Sequence, residues 1–465
     1  MKKSIFCGTI ALSFLTFLGN PAVVRASEGS ASPGTETLTI CVEESTVNSY
    51  ELQPVIERFQ EEFPEIELKI QEIPTAHGED VAVREAEVKQ IETEIMRGEG
   101  PDLFILYVGT QAEYNGSVTL FSDLEKTVRA GVFADLGALI EADGTIDMGN
   151  YYSFVQPAGS VGDSFLLFPL SFYNSSVNVT TEESLELSGI DTELADSSAK
   201  AYADELDRCL TDYQKFDAAD VYQISLSYGL LDYDTGEVRL GDEEKWYYER
   251  DKEFYEKYKN DDRWSESYDE KVKRQLQELM DKEIPLVKGN LSTMSGAINF
   301  AEYMAAEGLE AIFWMSPDEK GDCYAEIGSY AAINANSRNQ SAAMEFLKLL
   351  VSKEMQAEGY YPCNYYLPVY KGEDVLRTTF QAHRDRDSVL SPLPREEMSE
   401  ASMKSLMGQL ERITTGRLMD SQIYYIPIDG ENTFDNYYAE YLEGELTYEE
   451  FADVIKYGLE FYWEE

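Results

Sequence analysis

The chain has 465 residues, of which 43% are hydrophobic, and this length predicts two lobes because single hydrophobic cores rarely grow that large. It carries 88 acidic residues against 38 basic ones, for a net charge of −50. This charge argues against nucleic acids and anionic membrane surfaces as partners, because both require a basic protein face. We interpret it as a solvated acidic surface, and attraction of a cationic ligand is the alternative.

Residues 1–26 have the pattern of an export signal. Two lysines, Lys2 and Lys3, precede the apolar run Ile5–Leu18, and Val24–Ala26 resembles a cleavage site. The apolar run is too short to span a bilayer comfortably, and no other long apolar run follows it. We therefore expect an exported protein that works at the cell surface or in the periplasm.

The cysteines of the exported chain leave three disulfide pairings open. These residues are Cys41, Cys209, Cys323 and Cys363. Export permits disulfides, but Cys41 lies within an apolar segment, where a buried free thiol is expected. The sequence has no C-x-x-C motif, and its histidines are His77 and His383. We expect no metal site and no cofactor.

The first third of the chain alternates strands and helices. Residues 27–37 are rich in Ser, Gly and Glu and predict a flexible linker. The elements predicted after it are a strand at Leu38–Val42, a helix at Leu52–Phe63, a strand at Ile66–Ile70, a helix ending at Gly98 and a strand at Leu103–Leu106. Strand–helix–strand repetition of this kind predicts a doubly wound α/β sheet.

The middle and the end of the chain add further helices. Val221–Leu240 predicts a hairpin that turns at Tyr233–Gly236, where the glycine falls one place too early for a calcium-binding EF-hand loop. Trp246–Met280 has helical spacing, and Thr447 and Glu450 form a capping box for a last helix. Pro392–Thr415 predicts one long helix with five apolar residues turned inward, namely Met398, Met403, Leu406, Leu410 and Ile413.

The segment Tyr330–Tyr370 contains the most specific pattern in the sequence. A short strand at Tyr330–Ile333 leads into Asn334–Ser337, which predicts a turn that caps the next helix. That helix carries an apolar stripe at Ala342, Ala343, Phe346, Leu347 and Leu350. Ser352 predicts a second helix cap, and Gly359 and Pro362 close the unit.

These residues closely resemble the extracellular solute-binding proteins of ABC importers, the family that includes maltose-binding protein. The resemblance extends from Leu38 to the end of the chain and weakens between Thr180 and Leu286. The matching segments are Ala332–Ser337, Ala342–Leu347, Ser352–Gln356, Phe59–Ile66, Gly98–Phe104 and Tyr441–Glu450. Many family members carry a lipid-anchoring cysteine, whereas Cys7 here lies within the apolar run without a lipobox. This departure argues against a lipid anchor.

The resemblance implies a two-lobe periplasmic-binding-protein fold, in which each lobe is a doubly wound sheet flanked by helices. Three crossovers between the lobes are expected at Phe165–Phe172, Leu309–Pro317 and Tyr366–Pro368. Lobe one would comprise residues 38–168 and 316–364, and lobe two residues 169–315 and 365–465. Such connections suit a hinge that closes two rigid bodies on a ligand.

Ligand contacts are expected at the carboxyl ends of strands and at the crossovers, where the family's contacts fall. Aromatic faces stack on sugar rings, and amides and carboxylates hold hydroxyl groups. The candidate residues are Glu43, Glu44, Ser45, Tyr107, Thr110, Gln111, Tyr114, Phe172, Tyr173, Asn299 and Trp314. The alternative for each aromatic residue is packing in the core, and Glu43 or Glu44 can be simply solvated.

Enzyme signatures are largely missing from the sequence. There is no nucleophile elbow and no phosphate-binding glycine loop, and carboxylate pairs carry no signal among 88 acidic residues. By resemblance, we predict a monomeric substrate-binding component that passes a sugar or oligosaccharide to ABC permease subunits. The alternatives are a secreted carbohydrate-processing enzyme and a binding module that signals to a sensor protein.

Overall fold

The computed structural model describes residues 36–43, 51–74, 81–107, 120–121, 124–218, 230–293, 296–387, 393–416, 427–429 and 432–464. The predicted export signal lies outside these residues. The predicted linker also does, except for its last two residues, which already belong to the first strand. Among the described helices, none is both long and apolar enough to cross a bilayer.

The strands are, in chain order, Glu36–Glu43 (β1), Ile66–Ile73 (β2), Leu103–Tyr107 (β3), Ser160–Val161 (β4), Ser164–Phe165 (β5), Phe168–Tyr173 (β6), Val177–Thr180 (β7), Val287–Gly289 (β8), Ile312–Met315 (β9), Cys323–Ile333 (β10), Leu367–Pro368 (β11), Ile413–Gly416 (β12), Pro427–Asp429 (β13) and Asn432–Thr433 (β14).

The α-helices are, in chain order, Gln53–Glu62 (α1), Val81–Met96 (α2), Leu124–Arg129 (α3), Leu136–Asp143 (α4), Val155–Ala158 (α5), Glu182–Ser188 (α6), Thr192–Ala195 (α7), Ala199–Cys209 (α8), Asp212–Lys215 (α9), Asp242–Tyr258 (α10), Tyr268–Met280 (α11), Ala297–Ala306 (α12), Gln340–Leu350 (α13), Lys353–Glu358 (α14), Glu373–Asp387 (α15), Glu400–Glu411 (α16), Phe434–Glu443 (α17) and Tyr448–Glu464 (α18). Short 3₁₀ turns lie at Met148–Asn150 and Asp262–Ser265.

The larger sheet has seven strands in the order β11-β6-β10-β3-β1-β2, with β12 paired to β10. Strand β1 runs parallel to β2 and β3, as the alternation of strands and helices predicted. Strand β10 is antiparallel to both β3 and β6 and is buried along its whole length. Strand β3 is apolar on both sides, as expected for a strand in a sheet whose two faces are covered.

The second sheet is smaller, with the order β8-β7-β9 and both pairings antiparallel. Helix α16 covers the outer edge of β9 with polar side chains. The backbone N–H groups of Ala311, Phe313 and Met315 donate to Ser402 Oγ, Ser405 Oγ and Gln409 Oε1 at 2.8–2.9 Å. These bonds give acceptors to the N–H groups along the outer edge of β9, which would otherwise be unpaired.

Within the described residues, two short connections lead from a strand of one sheet to a strand of the other. The chain leaves the larger sheet after Tyr173, enters the smaller one at Val177, and returns between Met315 and Cys323. The outgoing connection is tied to the returning one, because Ser316 N–H donates to the Ser176 carbonyl at 2.9 Å and the two hydroxyl groups lie 2.7 Å apart. The sheets are therefore joined at a narrow, hydrogen-bonded strip.

Helix α13 buries the apolar stripe that the sequence predicted. Its predicted stripe is buried, and Phe346 packs against Phe59 of α1 with ring centroids 5.4 Å apart. The cap predicted at Asn334–Ser337 was wrong in detail. Asn339 precedes the helix, and the Ser337 hydroxyl donates to Asp102 at 2.6 Å. The caps predicted at Ser352 and between Thr447 and Glu450 are confirmed.

The long helix predicted at Pro392–Thr415 was wrong in its bounds. Helix α16 begins after Ser399, whose hydroxyl accepts the Ser402 N–H, and ends at Glu411. The residues that follow, Ile413–Gly416, form β12, which pairs with the start of β10. The β-branched residues of this segment favour a strand over a continued helix. The five apolar residues predicted to turn inward are nevertheless buried.

Two further predictions in the described residues are confirmed. Trp246–Met280 is helical, as α10 and α11 separated by a short 3₁₀ turn. Tyr233–Gly236 forms a turn in which Gly236, at φ +74°, donates its N–H to the Asp232 carbonyl. Leu231 and Val238 bridge the hairpin, while residues 221–229 of its predicted first arm lie outside the described residues.

Candidate binding site

Four tyrosines meet where strands β3 and β6 end and where the chain approaches β11. We call Tyr107, Tyr173, Tyr365 and Tyr366 the tyrosine cluster; Cys363 packs against it. Tyr107 is the last residue of β3 and Tyr173 the last residue of β6, beside the connection to the smaller sheet. The cluster therefore lies at the carboxyl edge of the larger sheet, where open α/β sheets bind ligands.

The rings of the cluster are closely packed against one another. Tyr173 and Tyr366 are stacked, with centroids 4.1 Å apart and planes inclined by 14°. Tyr365 meets Tyr366 edge to face, with centroids 4.3 Å apart. Tyr173 and Tyr366 are buried, whereas Tyr107 and Tyr365 are only partly buried, so the accessible aromatic surface at this edge comes from the latter two rings.

Gly328 makes the position of Tyr366 possible. A Cβ atom at residue 328 would lie 2.4 Å from the Tyr366 ring and 2.8 Å from Ser171 Oγ. Any side chain at this position of β10 would therefore push Tyr366 off the sheet. The absence of a side chain at Gly328 determines how closely the ring approaches the strand.

Hydrogen bonds to the carbonyl groups of Tyr365 and Tyr366 hold the loop that carries these two residues. The Tyr365 carbonyl accepts from Thr293 N at 2.8 Å, from Thr293 Oγ1 at 2.9 Å and from Ser292 Oγ at 3.2 Å. The Tyr366 carbonyl accepts from the Tyr361 hydroxyl at 3.1 Å. Because Ser292 and Thr293 follow β8 of the smaller sheet, the loop is tied to both sheets.

A buried carboxylate lies beside the cluster. Glu326 pairs with Tyr173 in the β6–β10 register, and its side chain accepts hydrogen bonds from Ser175, Tyr173 and Tyr324. Burial raises the pKa of Glu326 above its usual range. Burial, together with the neighbouring Glu326, also raises the pKa of Tyr173. The Tyr173 hydroxyl and Glu326 therefore interact at the buried side of the cluster.

The structure brings together only part of the predicted site. Tyr107 and Tyr173 belong to the tyrosine cluster, and Glu43 is the last residue of β1. Five candidates lie outside the described residues, namely Glu44, Ser45, Thr110, Gln111 and Tyr114.

The other three candidates are packed away from the cluster. Phe172 contacts Phe154 and Tyr152 in the main core, and Asn299 is buried in α12, where it hydrogen-bonds to Tyr268. Trp314 is 3% exposed, and its indole N–H donates to Asp196 at 2.8 Å. Their placement favours packing, the alternative that the sequence left open, and their role as ligand contacts stays a prediction.

Sequence reasoning missed Tyr365, Tyr366, Gly328 and Glu326. One signal for the first two was present, because the Tyr-Tyr pair stands between two prolines at the predicted third crossover. Gly328 and Glu326 carried no local signal, since their partners come from β6 and from the loop before β11.

Among the described residues, no metal-binding arrangement accompanies the cluster. In the parts of the chain that the structure describes, no three His, Cys, Asp or Glu side chains come close enough to hold a metal ion. The four cysteines after the predicted signal are free thiols, and Cys41 is buried, as predicted. The tyrosines of the cluster can bind a ligand by aromatic stacking and hydrogen bonding.

Comparison with protein families gives one match over much of the chain. The model described as bacterial extracellular solute-binding protein matches residues 44–357. No curated protein sequence matches this chain.

Solved structures share the fold at low sequence identity. A sugar transporter from Rhizobium etli in an open conformation has 14% identity and a TM-score of 0.54, covering 91% of this chain and 98% of its own. An extracellular solute-binding protein family 1 member from Alicyclobacillus acidocaldarius has 13% identity and a TM-score of 0.53, covering 94% and 100%. The sugar-binding protein MalE from Xanthomonas citri has 12% identity and a TM-score of 0.53, covering 92% and 97%. These likenesses confirm the predicted two-lobe α/β fold.

Proposed function

Because this chain belongs to the bacterial extracellular solute-binding protein family, we propose that it captures a sugar or oligosaccharide and delivers it to an ABC permease. The family is one of binding proteins and not of enzymes. We further propose that the protein is exported, works as a monomer at the cell surface or in the periplasm, and needs no cofactor.

The observation that carries this proposal is the tyrosine cluster beside the connection between the two sheets, in which Tyr107 and Tyr365 are partly exposed next to the buried stack of Tyr173 on Tyr366. Phenol rings present flat apolar faces to the C–H side of a sugar ring and hydroxyl groups to its polar rim. Two of the similar structures are described as a sugar transporter and a sugar-binding protein, which agrees with this choice of ligand.

The proposed site comprises the tyrosine cluster together with those predicted contacts that follow β1 and β3 in sequence. Each lobe would contribute, the first being built around the larger sheet and the second around the smaller one. The lobes would close on the ligand by rotation at the connections after Tyr173 and Met315. Small-angle scattering tests closure, since the radius of gyration should fall when a verified ligand saturates the protein.

A thermal-shift screen over sugars, amino acids, polyamines and peptides tests the ligand class. A ligand at 100 times its dissociation constant adds about 2.7 kcal/mol to the free energy of unfolding, which is a readily measured rise in melting temperature. We expect a sugar or oligosaccharide to give the largest rise. A larger rise with a polyamine or a peptide would contradict the proposed ligand class.

Two further measurements separate the alternatives. Release of product from a glycan on incubation with the purified protein would favour a carbohydrate-processing enzyme. Co-purification of permease subunits from membranes, in the presence of the ligand, would support transport, whereas co-purification of a sensor protein alone would favour signalling.

A further inference from the structure

Glu51 connects the start of α1 to the loop that carries the tyrosine cluster. It lies two residues before the helix, and its side chain accepts hydrogen bonds from the backbone N–H groups of Cys363 and Asn364. The tyrosines Tyr365 and Tyr366 follow these two residues directly. A single carboxylate thus holds the backbone immediately before the stacked rings.

The backbone at Cys363 has an unusual conformation that creates this contact. Cys363 has φ +61°, and Lys282 is the other non-glycine residue in the described chain with a positive φ. A left-handed residue turns consecutive N–H groups towards the same side and so forms a concavity that binds anions, called a nest. Here the nest is formed by the N–H groups of Cys363 and Asn364, and the Glu51 carboxylate fills it.

The nest and the rings belong to one tightly bonded loop. Tyr366 N–H donates to the Cys363 carbonyl at 2.9 Å, and Asn364 Nδ2 donates to the Gly359 carbonyl at 2.7 Å. The Cys363 thiol lies 3.4 Å from the carbonyl of Gly328, the residue that Tyr366 packs against. The Cys363–Asn364 peptides and Tyr366 therefore belong to one hydrogen-bonded segment.

A cation also lies near the carboxylate. Arg386 interacts electrostatically with Glu51, and its guanidinium group hydrogen-bonds to the His383 ring at 2.9–3.0 Å. Both residues lie on α15, which follows β11. Burial of Glu51 opposes its ionisation, while the two donors of the nest and the positive charge of Arg386 favour the carboxylate.

We propose that Glu51 is a positioning residue for ligand binding, which fills the nest at Cys363–Asn364 and thereby holds Tyr366 in its stack with Tyr173. The binding part of this inference rests on the proposed function. The part that concerns the loop does not, because it can be measured without a ligand.

The experiment replaces Glu51 with alanine and reads the loop through Cys363. The Cys363 side chain is 1% exposed, so a maleimide reagent should label it slowly in the native protein. In Glu51→Ala, with the nest empty, we expect Cys363 to be labelled at least about tenfold faster, because the loop opens more often. Peptide mapping by mass spectrometry reports each thiol separately, and labelling of the buried Cys41 and Cys323 should not change.

Chemical rescue distinguishes a filled nest from a general loss of structure. Acetate or formate added to Glu51→Ala should occupy the empty nest, slow the labelling of Cys363 and restore affinity for the glycan found in the screen. Sodium chloride at the same ionic strength controls for salt. Glu51→Gln keeps an acceptor oxygen and should retain most of the affinity.

Glu205 provides a matched control. It also accepts a backbone N–H, from Asp191 at 3.1 Å, but on α8 and away from the tyrosine cluster. Glu205→Ala should lower the melting temperature without changing either Cys363 labelling or affinity.

Three results would overturn the proposal. They are unchanged Cys363 labelling in Glu51→Ala, faster labelling that acetate does not reverse, and faster labelling with unchanged glycan affinity. If Glu51→Ala does not fold, Glu51→Asp shortens the reach of the carboxylate and should show the same changes to a smaller degree; unchanged labelling there would also count against the proposal. If the wild-type protein binds no glycan, the proposed function fails, while labelling and acetate rescue still decide whether Glu51 holds the loop.

Discussion

The rings of Tyr173 and Tyr366 lie 4.1 Å apart and nearly parallel, although one ends strand β6 and the other belongs to the loop before β11. Tyr365 and Tyr107 complete the cluster. Every further expectation about ligand binding depends on this pair, because it joins the larger sheet to the loop that is also bonded to Ser292 and Thr293.

Replacing Tyr366 with leucine should weaken ligand binding. Leucine keeps part of the apolar volume but removes the flat ring and the stack with Tyr173. Loss of an aromatic contact of this kind costs about 1–3 kcal/mol of binding free energy, or roughly tenfold to more than a hundredfold in the dissociation constant. Isothermal titration calorimetry measures it. Tyr457→Leu, at a tyrosine that is 76% exposed on α18, is the control and should bind like the wild type.

Gly328→Ala tests the close approach of Tyr366 to strand β10. The added methyl group would lie 2.4 Å from the ring, so Tyr366 must move or the strand must shift. Overpacking of this kind costs about 1–3 kcal/mol of stability, and we expect a loss of affinity as well. Gly408→Ala on α16, where a methyl group meets nothing within 4 Å, should leave affinity unchanged and stabilise the helix. Equal affinity in both variants would contradict the account of Gly328.

Trp314 is expected to affect stability more than binding. Its ring lies 4.8 Å from that of Tyr202, and its indole N–H donates to Asp196. Trp314→Ala should therefore lower the free energy of unfolding by about 3–5 kcal/mol and leave affinity nearly unchanged. Trp264→Ala, at a tryptophan 57% exposed, should cost much less. Affinity lost with stability kept would restore the interpretation of Trp314 as a ligand contact.

Two buried groups near the loop should make stability depend on pH in opposite directions. Burial raises the pKa of Glu51 to about 7. The contribution of Glu51 to the free energy of unfolding is therefore complete below pH 4.5 and is lost as the pH rises through 7. Burial and the nearby Arg386 lower the pKa of His383 to about 3, so its contribution is present above pH 6.5 and is lost as the pH falls towards 3.

Denaturation of single variants across this pH range separates the two effects. In the wild type, ionisation of Glu51 should lower the free energy of unfolding by up to about 3 kcal/mol between pH 4.5 and 7, and Glu51→Gln should remove this decrease. His383→Gln should remove the loss below pH 6.5. A Glu51→Gln profile parallel to that of the wild type would show that Glu51 titrates normally.

Much of the fold could be predicted because its signals are local. The stripe of α13 and the alternation that begins at β1 follow directly from helical and strand periods. Strand β10 shows the limit. Its last four residues were predicted, but Glu326, Gly328 and Ser329 interrupt the apolar pattern before them.

These polar residues are tolerated because distant groups satisfy them. Ser329 Oγ lies 3.0 Å from Ser171 Oγ and donates to the Pro362 carbonyl at 2.8 Å, while Ser175 donates to Glu326. For the same reason the sequence identified Tyr107 by its position after a strand and Tyr173 by its position at a crossover implied by the resemblance, but missed Tyr365 and Tyr366. Their place in the cluster is determined by contacts with Gly328, Ser292 and Thr293.

The acidic surface should have little influence on the affinity for a neutral sugar. Added salt screens charges over about 10 Å at 0.1 M ionic strength, so a cationic ligand attracted by the net charge of −50 would bind more weakly as salt rises. We expect the dissociation constant for the glycan to be nearly the same at low and high salt. A steep salt dependence would instead favour polyamines or basic peptides as the natural ligand.

Calorimetric titration of the best glycan from the screen, followed by chromatography of the recovered glycan, tests the central claim most directly. We predict saturable binding of one glycan per protein chain, recovery of the glycan intact, and a loss of roughly tenfold or more in affinity for Tyr366→Leu. Cleavage of the glycan, or binding that is unchanged in Tyr366→Leu, would contradict a sugar-binding protein that uses the tyrosine cluster.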